Sequence, residues 1–142
     1  MGFGVDQHGT RDATKAAVRA FRNAIEFNSI PGVISHLPGG RHAMLSHVKL
    51  GIPVIPGSSP PVLMPVDLLQ VAKVFPYGQI LPMETCVGGL SFHTGRVVEE
   101  LGDDDDLGIC VAACITLGSG GSVAKTPESG TLHTTYNTKD GY

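Results

Sequence analysis

Leu107-Gly108-Ile109-Cys110-Val111-Ala112-Ala113-Cys114-Ile115-Thr116-Leu117 is apolar at nearly every position. An extended chain alternates its side chains, so Ile109, Val111, Ala113 and Ile115 share one face while Cys110, Ala112 and Cys114 share the other. Half-exposed strands alternate apolar with polar residues, and strands covered on both sides do not. The stretch therefore predicts a central strand, with the rest of the chain arranged around it.

Upstream, residues 80 to 87 predict a third strand, with Pro82 marking an edge position or a bulge because it has no amide proton to donate. Pro65 suits the first position of a short helix that turns Val66, Leu69, Ala72 and Phe75 inward and stops at Pro76. Residues 53 to 61 contain four prolines and Gly57 and read as an irregular connection. From 43 to 52, Met44, Val48, Leu50 and Ile52 alternate with Leu45, His47 and Lys49, a strand with one core face. Asp12 can cap a helix over 13 to 28 whose apolar stripe is Ala17, Phe21, Ala24 and Ile25, with Pro31-Gly32 as the stop. A short strand at the N-terminus completes the order β-α-β-α-β-β. The expectation is an α+β two-layer sandwich over residues 1 to 118, a small mixed four-stranded sheet with two helices on one face.

The chain has 142 residues, 42% hydrophobic and 16% charged, with a formal net charge of -3. That composition suits one globular domain. The absence of a basic run disfavours a nucleic-acid surface. No apolar stretch reaches the ~18 residues of a membrane span, and a cytoplasmic location is the expectation. Cys86, Cys110 and Cys114 match neither a disulfide framework nor a CxxC metal pair, and are expected to be buried, reduced thiols, with Cys86 the one to watch as reactive. Residues 119 to 142 are rich in Gly, Ser and Thr with little to bury. They are expected to pack on a neighbouring subunit of a homo-oligomer, anchored by Leu132, Tyr136 and Tyr142.

The chemistry-bearing stretch is Gly2-Phe3-Gly4-Val5-Asp6-Gln7-His8-Gly9. Glycines let a ligand approach the main chain, which makes Gly4 and Gly9 candidate ligand-binding positions. Asp6 and His8, two apart on an extended segment, project to one side and are normal ligands for a divalent ion such as zinc or manganese. A third ligand is needed, and His36, His42, His47, His93 and His133 are available. His47 is the choice because it sits on the polar face of a predicted strand beside Lys49, which could bind an anionic substrate. The alternative is structural: Asp6 caps the following turn and His8 hydrogen-bonds to it.

This octet matches every fixed position of GxGxDxHG, the hallmark of a conserved-hypothetical family of bacteria and plants, the "Lin" family. The likeness continues through Thr14-Lys15-Ala16-Ala17-Val18-Arg19-Ala20, Phe75-Pro76-Tyr77-Gly78, Gly88-Gly89-Leu90 and Gly102-Asp103 to Gly118. The chain therefore resembles that family over most of residues 2 to 118, which implies a shared fold and a shared site rather than a reaction. A shorter likeness, about eight residues, is to methylerythritol cyclodiphosphate synthases, where such an Asp and His bind a divalent metal at a trimer interface.

Asp103 to Asp106 lack the spacing and turn glycine of a calcium loop and read as a solvated turn before the central strand. His93-Thr94-Gly95-Arg96 offers an Arg for an acidic group but reads first as an exposed loop, and Gly39-Gly40-Arg41 lacks the Lys-Ser/Thr of a phosphate loop. Two functional expectations follow. One is an oligomeric metal-dependent hydrolase or lyase acting on a small polar metabolite; the other is a noncatalytic small-ligand-binding or structural homo-oligomer.

Overall fold

The computed structural model describes residues 1–27, 39–75 and 77–119. Pro31-Gly32, Pro76, His36, His133 and the 120–142 extension with Leu132, Tyr136 and Tyr142 lie outside the described residues. Strands β1 (Gly2–Asp6), β2 (Met44–Ile52), β3 (Gln79–Ile80), β4 (Glu84–Val87), β5 (Leu90–His93) and β6 (Leu107–Ser119) form one mixed sheet, with helices α1 (Thr14–Phe27) and α2 (Leu68–Ala72). The apolar run is its centre. β6 pairs antiparallel with β1, β2 and β5, while β3 and β4 pair parallel with β2.

The class is α+β, as read, but the sheet has six strands rather than four. The stretch expected as one strand over 80 to 87 divides into β3 and β4 around Leu81-Pro82-Met83. Proline cannot donate to the ladder, and the break falls where it stands. The strand not anticipated is β5, which takes over pairing with β6 at Leu90–His93 beyond the end of β2. At this crossing Gly88 lies so close to Gly51 that a Cβ would come within 2.9 Å of the Gly51 Cα.

Helix α1 begins as the sequence indicates, with Asp12 Oδ1 accepting from the Thr14 amide at 2.7 Å. Its small residues Ala16, Ala17, Ala20 and Ala24 are buried with Phe21. They lie directly on β1, where a Cβ on Gly2 would sit 2.2 Å from the Ala24 nitrogen and one on Gly4 would sit 2.1 Å from the Ala16 carbonyl oxygen. The first two glycines of the motif thus let a helix backbone rest on a strand backbone.

The second helix departs from its expected register. It starts not at Pro65 but after Asp67, whose Oδ1 accepts from the Leu69 and Gln70 amides at 3.0 and 3.3 Å. Val71 is buried, whereas Leu69, expected inward, is 75% exposed. The later cap rotates the helix so that Leu68 and Val71 face the core. Thr14 Oγ1 accepts from the Asp67 amide at 2.9 Å and ties the two helix starts together.

The core combines the α1 stripe and Val71 with Val48, Leu50 and Ile52 of β2 and Ile109, Val111 and Ala113 of β6. All these strand residues belong to one face of the sheet. The opposite face, expected to be covered because β6 is apolar on both sides, has no covering element among the described residues: Cys110 and Ala112 are half-buried and Cys114 is exposed. Where the sequence predicts buried thiols, Cys86 and Cys110 are half-buried and Cys114 is exposed. No helix among the described residues is long and apolar enough to cross a membrane.

Candidate functional site

β1 ends at Asp6, and antiparallel pairing sets Asp6 opposite Ile109, so the residues that follow Asp6 run level with those that precede Ile109. That register brings His8, Gly9 and Arg11 to the Asp103-Asp106 run. Three of its four carboxylates, those of Asp103, Asp105 and Asp106, are engaged by side chains and amides of the surrounding loops rather than left to solvent alone. Asp103, with its side chain only 3% exposed, accepts from His8 Nδ1 at 3.0 Å through Oδ1 and from the Val98 amide at 2.9 Å through Oδ2. Asp105 Oδ2 accepts from Arg11 Nε at 2.7 Å and its Oδ1 from the Leu107 amide at 2.8 Å. Asp106 accepts from His93 Nδ1 at 2.9 Å and from the Gly95 amide at 3.3 Å. Gly9 fits because a Cβ there would meet the Asp105 carbonyl oxygen at 2.0 Å.

The run therefore gathers loops from both sides of β6. His93 of β5 lies opposite Leu107 on one side, and His8 follows β1 on the other. A carboxylate only accepts, so in its neutral form each imidazole carries its proton on Nδ1 and keeps a lone pair on Nε2. His8 is 38% exposed at its side chain, and His93 is 79% exposed. The His93 pKa is raised above 6.5, first by the Asp106 hydrogen bond and then by its charge. Asp106 is held below the usual carboxylate range by the same bond, and Asp105 by the Leu107 amide and then Arg11.

Asp6 points under α1 with Gly2 and Gly4 and is fully buried. Its Oδ1 receives the His8 amide at 3.4 Å and lies 3.8 Å from Arg19 Nη1, while Oδ2 has no hydrogen-bond partner. A buried carboxylate oxygen without a donor is costly. The structural alternative is thus half seen: Asp6 does accept from the His8 backbone, but the His8 ring turns to Asp103.

The proposed third ligand is elsewhere. His47 lies opposite Thr116 of β6 while Asp6 lies opposite Ile109, a separation of ~23 Å along a strand. The two also occupy opposite faces, and His47 Nε2 is engaged with Glu84 Oε1 at 3.1 Å. Lys49 lies 3.8 Å from the same carboxylate, on the His47 side. Gly4 is covered by α1 and Gly9 by Asp105, so the main chain at both is occupied by the protein's own packing. Among the described residues no three His, Cys, Asp or Glu side chains converge in a metal-binding group.

The residue that sequence reasoning missed is Asp103. A signal existed in the four acids placed immediately before a strand expected to be central, since antiparallel neighbours bring other loops to that point.

The conserved hypothetical protein family Lin0512_fam matches residues 1–117. The chain belongs to this family. The match spans β1, both helices and nearly all of β6, and the resemblance read from the N-terminal octet is the family itself. A solved structure, an FtsZ-like protein of unknown function from Nostoc punctiforme, is 33% identical, with a TM-score of 0.61, covering 84% of this chain and 91% of that one. No functionally curated protein matches the chain.

Proposed function

We propose that the His8 end of the sheet is the site of a homo-oligomeric hydrolase or lyase acting on a small polar metabolite, with His8 as general base. The observation that carries this reading is the 3.0 Å contact from His8 Nδ1 to the nearly buried Asp103. Such a carboxylate fixes the imidazole tautomer and stabilises the cation formed when Nε2 accepts a proton. Nε2 would take that proton from water in a hydrolysis or from a carbon acid in an elimination.

A second reading has its own support. The unpartnered Asp6 Oδ2 favours a divalent ion, zinc or manganese, held by Asp6 and by a His8 ring whose other nitrogen is backed by a carboxylate, the usual support for a metal-bound histidine. With no third protein ligand gathered among the described residues, water or substrate would complete its shell.

Purified protein assayed on activated esters, phosphate esters, lactones and β-hydroxy acids separates these. The general-base reading expects turnover that survives EDTA, falls by ~10²- to 10⁴-fold in His8→Ala, and shifts its pH profile in Asp103→Asn. Turnover abolished by EDTA, restored by zinc or manganese and lost in Asp6→Asn selects the metal. Binding of such compounds without turnover selects the noncatalytic ligand-binding protein.

A further inference from the structure

β6 is apolar on both faces, and α1 and α2 cover only one. The register assembles what the other face exposes: Phe3 and Val5 of β1, Cys110 and Ala112 of β6, and Leu90 and Phe92 of β5 share it. Phe3 is 59% and Leu90 66% exposed. The Phe92 ring lies against Gly108, where a Cβ would meet it at 2.6 Å. A sheet face that water is meant to wet carries polar residues at these positions.

A partner could extend such a sheet by a strand at its edge, or stack a second layer on its face, and only the second covers the apolar groups. The β1 edge is partly blocked. Its outward amide at Phe3 donates to Asn23 Oδ1 at 3.0 Å, and its outward carbonyl at Val5 accepts from Arg19 Nη1. Two of its outward pairing groups are thus spent on α1, which disfavours edge addition there. Beyond its apolar half, the same face carries Lys49 and Glu84, 3.8 Å apart, with His47 on the same carboxylate. Both signs stand side by side there. A partner of one charge would be repelled by half of that rim, whereas a second copy turned by a two-fold axis presents Glu84 to Lys49 and Lys49 to Glu84. The 120–142 extension, rich in Gly, Ser and Thr, offers few apolar groups for this role.

We infer that a second copy of this chain covers the face, sheet on sheet, in an isologous dimer. This rests on the homo-oligomer part of the reading above and is independent of the His8 chemistry.

Sedimentation equilibrium of the full-length chain tests it. The expected mass is twice the 14.8 kDa of one chain. Phe3→Lys and Leu90→Lys should each raise the dimer Kd at least ~30-fold, the effect of losing a central anchor. Circular dichroism should show the fold retained. Leu69→Lys on exposed α2, the pair Tyr136→Ser with Tyr142→Ser, and His8→Ala should each leave the dimer intact. A monomer at ~100 μM, far above a specific Kd, would overturn the inference. So would dissociation caused by the tyrosine pair or Leu69→Lys but not by Phe3→Lys or Leu90→Lys. Loss of activity in His8→Ala with an intact dimer speaks to catalysis alone.

Discussion

At the residue scale the motif glycines carry the clearest consequence. Gly4 has room for no side chain, because a Cβ would sit 2.1 Å from the Ala16 carbonyl oxygen and 2.3 Å from the Ala20 nitrogen, both fixed helix backbone. Gly4→Ala should therefore destabilise by about 3 kcal/mol or more, the upper range for overpacking against atoms that cannot yield. Gly118 in β6 has nothing within 4 Å of the same position, and Gly118→Ala should stay within about 0.5 kcal/mol. Urea unfolding of the two variants checks the contrast, and equal losses would reject a packing role for Gly4. His93 supplies a second residue-scale test. Its pKa is raised from 6.5, first by the Asp106 hydrogen bond, with further contributions from the charges of Asp106 and Asp105. The His93 ring proton followed by NMR should titrate above 6.5 in the parent chain and move back toward that value in Asp106→Asn. A midpoint unmoved by the substitution would mean that the pair does not form in solution.

At the scale of elements, α1 holds the fold and the His8 loop decorates it. Phe21 is fully buried between α1 and the sheet, so Phe21→Ala should cost ~3 to 5 kcal/mol. His8→Ala removes one half-exposed ring and its bond to Asp103. Its effect should be the smaller by at least about 1 kcal/mol, since leaving a carboxylate oxygen short of one partner costs ~1 to 3 kcal/mol. Comparable losses in thermal denaturation would make the loop structural rather than chemical. The same division explains what was legible in the sequence. Periodicity located α1, β2 and β6, because their apolar faces are long enough to register. It misread α2, because one cap, Asp67, outweighs the position of Pro65 in a helix of five residues. It missed β5, since Leu90-Ser91-Phe92-His93 becomes a strand only where β2 has ended and freed the β6 edge. In the site, the Asp6-His8 pair stood out through its spacing, but spacing cannot report that Asp6 turns under a helix while the His8 ring turns to Asp103. That partner is 95 residues away and visible only through strand register.

At the scale of the whole molecule, a single acidic run joins the loop after β1 to the loop after β5 across the start of β6. Its charged links should behave as a local unit while the core stays intact. The carboxyls of Asp105 and Asp106 are lowered from 3.8, so the stability they contribute is present above that value and is lost as pH falls through their folded pKa values. His93 is raised from 6.5, so its contribution is present below that value and is lost as pH rises through its folded pKa. The run is tightest between these limits. All three groups are solvent-exposed, and screening keeps their effect on global stability small. The consequence should appear in amide exchange instead, where the Gly95 and Leu107 amides, held by Asp106 and Asp105, report the run directly. Protection factors corrected for intrinsic rates should fall for both as pH is lowered from ~6 to below 3.8, through the folded pKa values of the two carboxyls. Val48 and Val111, fully buried on the two central strands, should keep theirs. A parallel fall at Val111 would show that the acidic end and the core open as one cooperative unit, and that the loops gathered at His8 are part of what holds the sheet together.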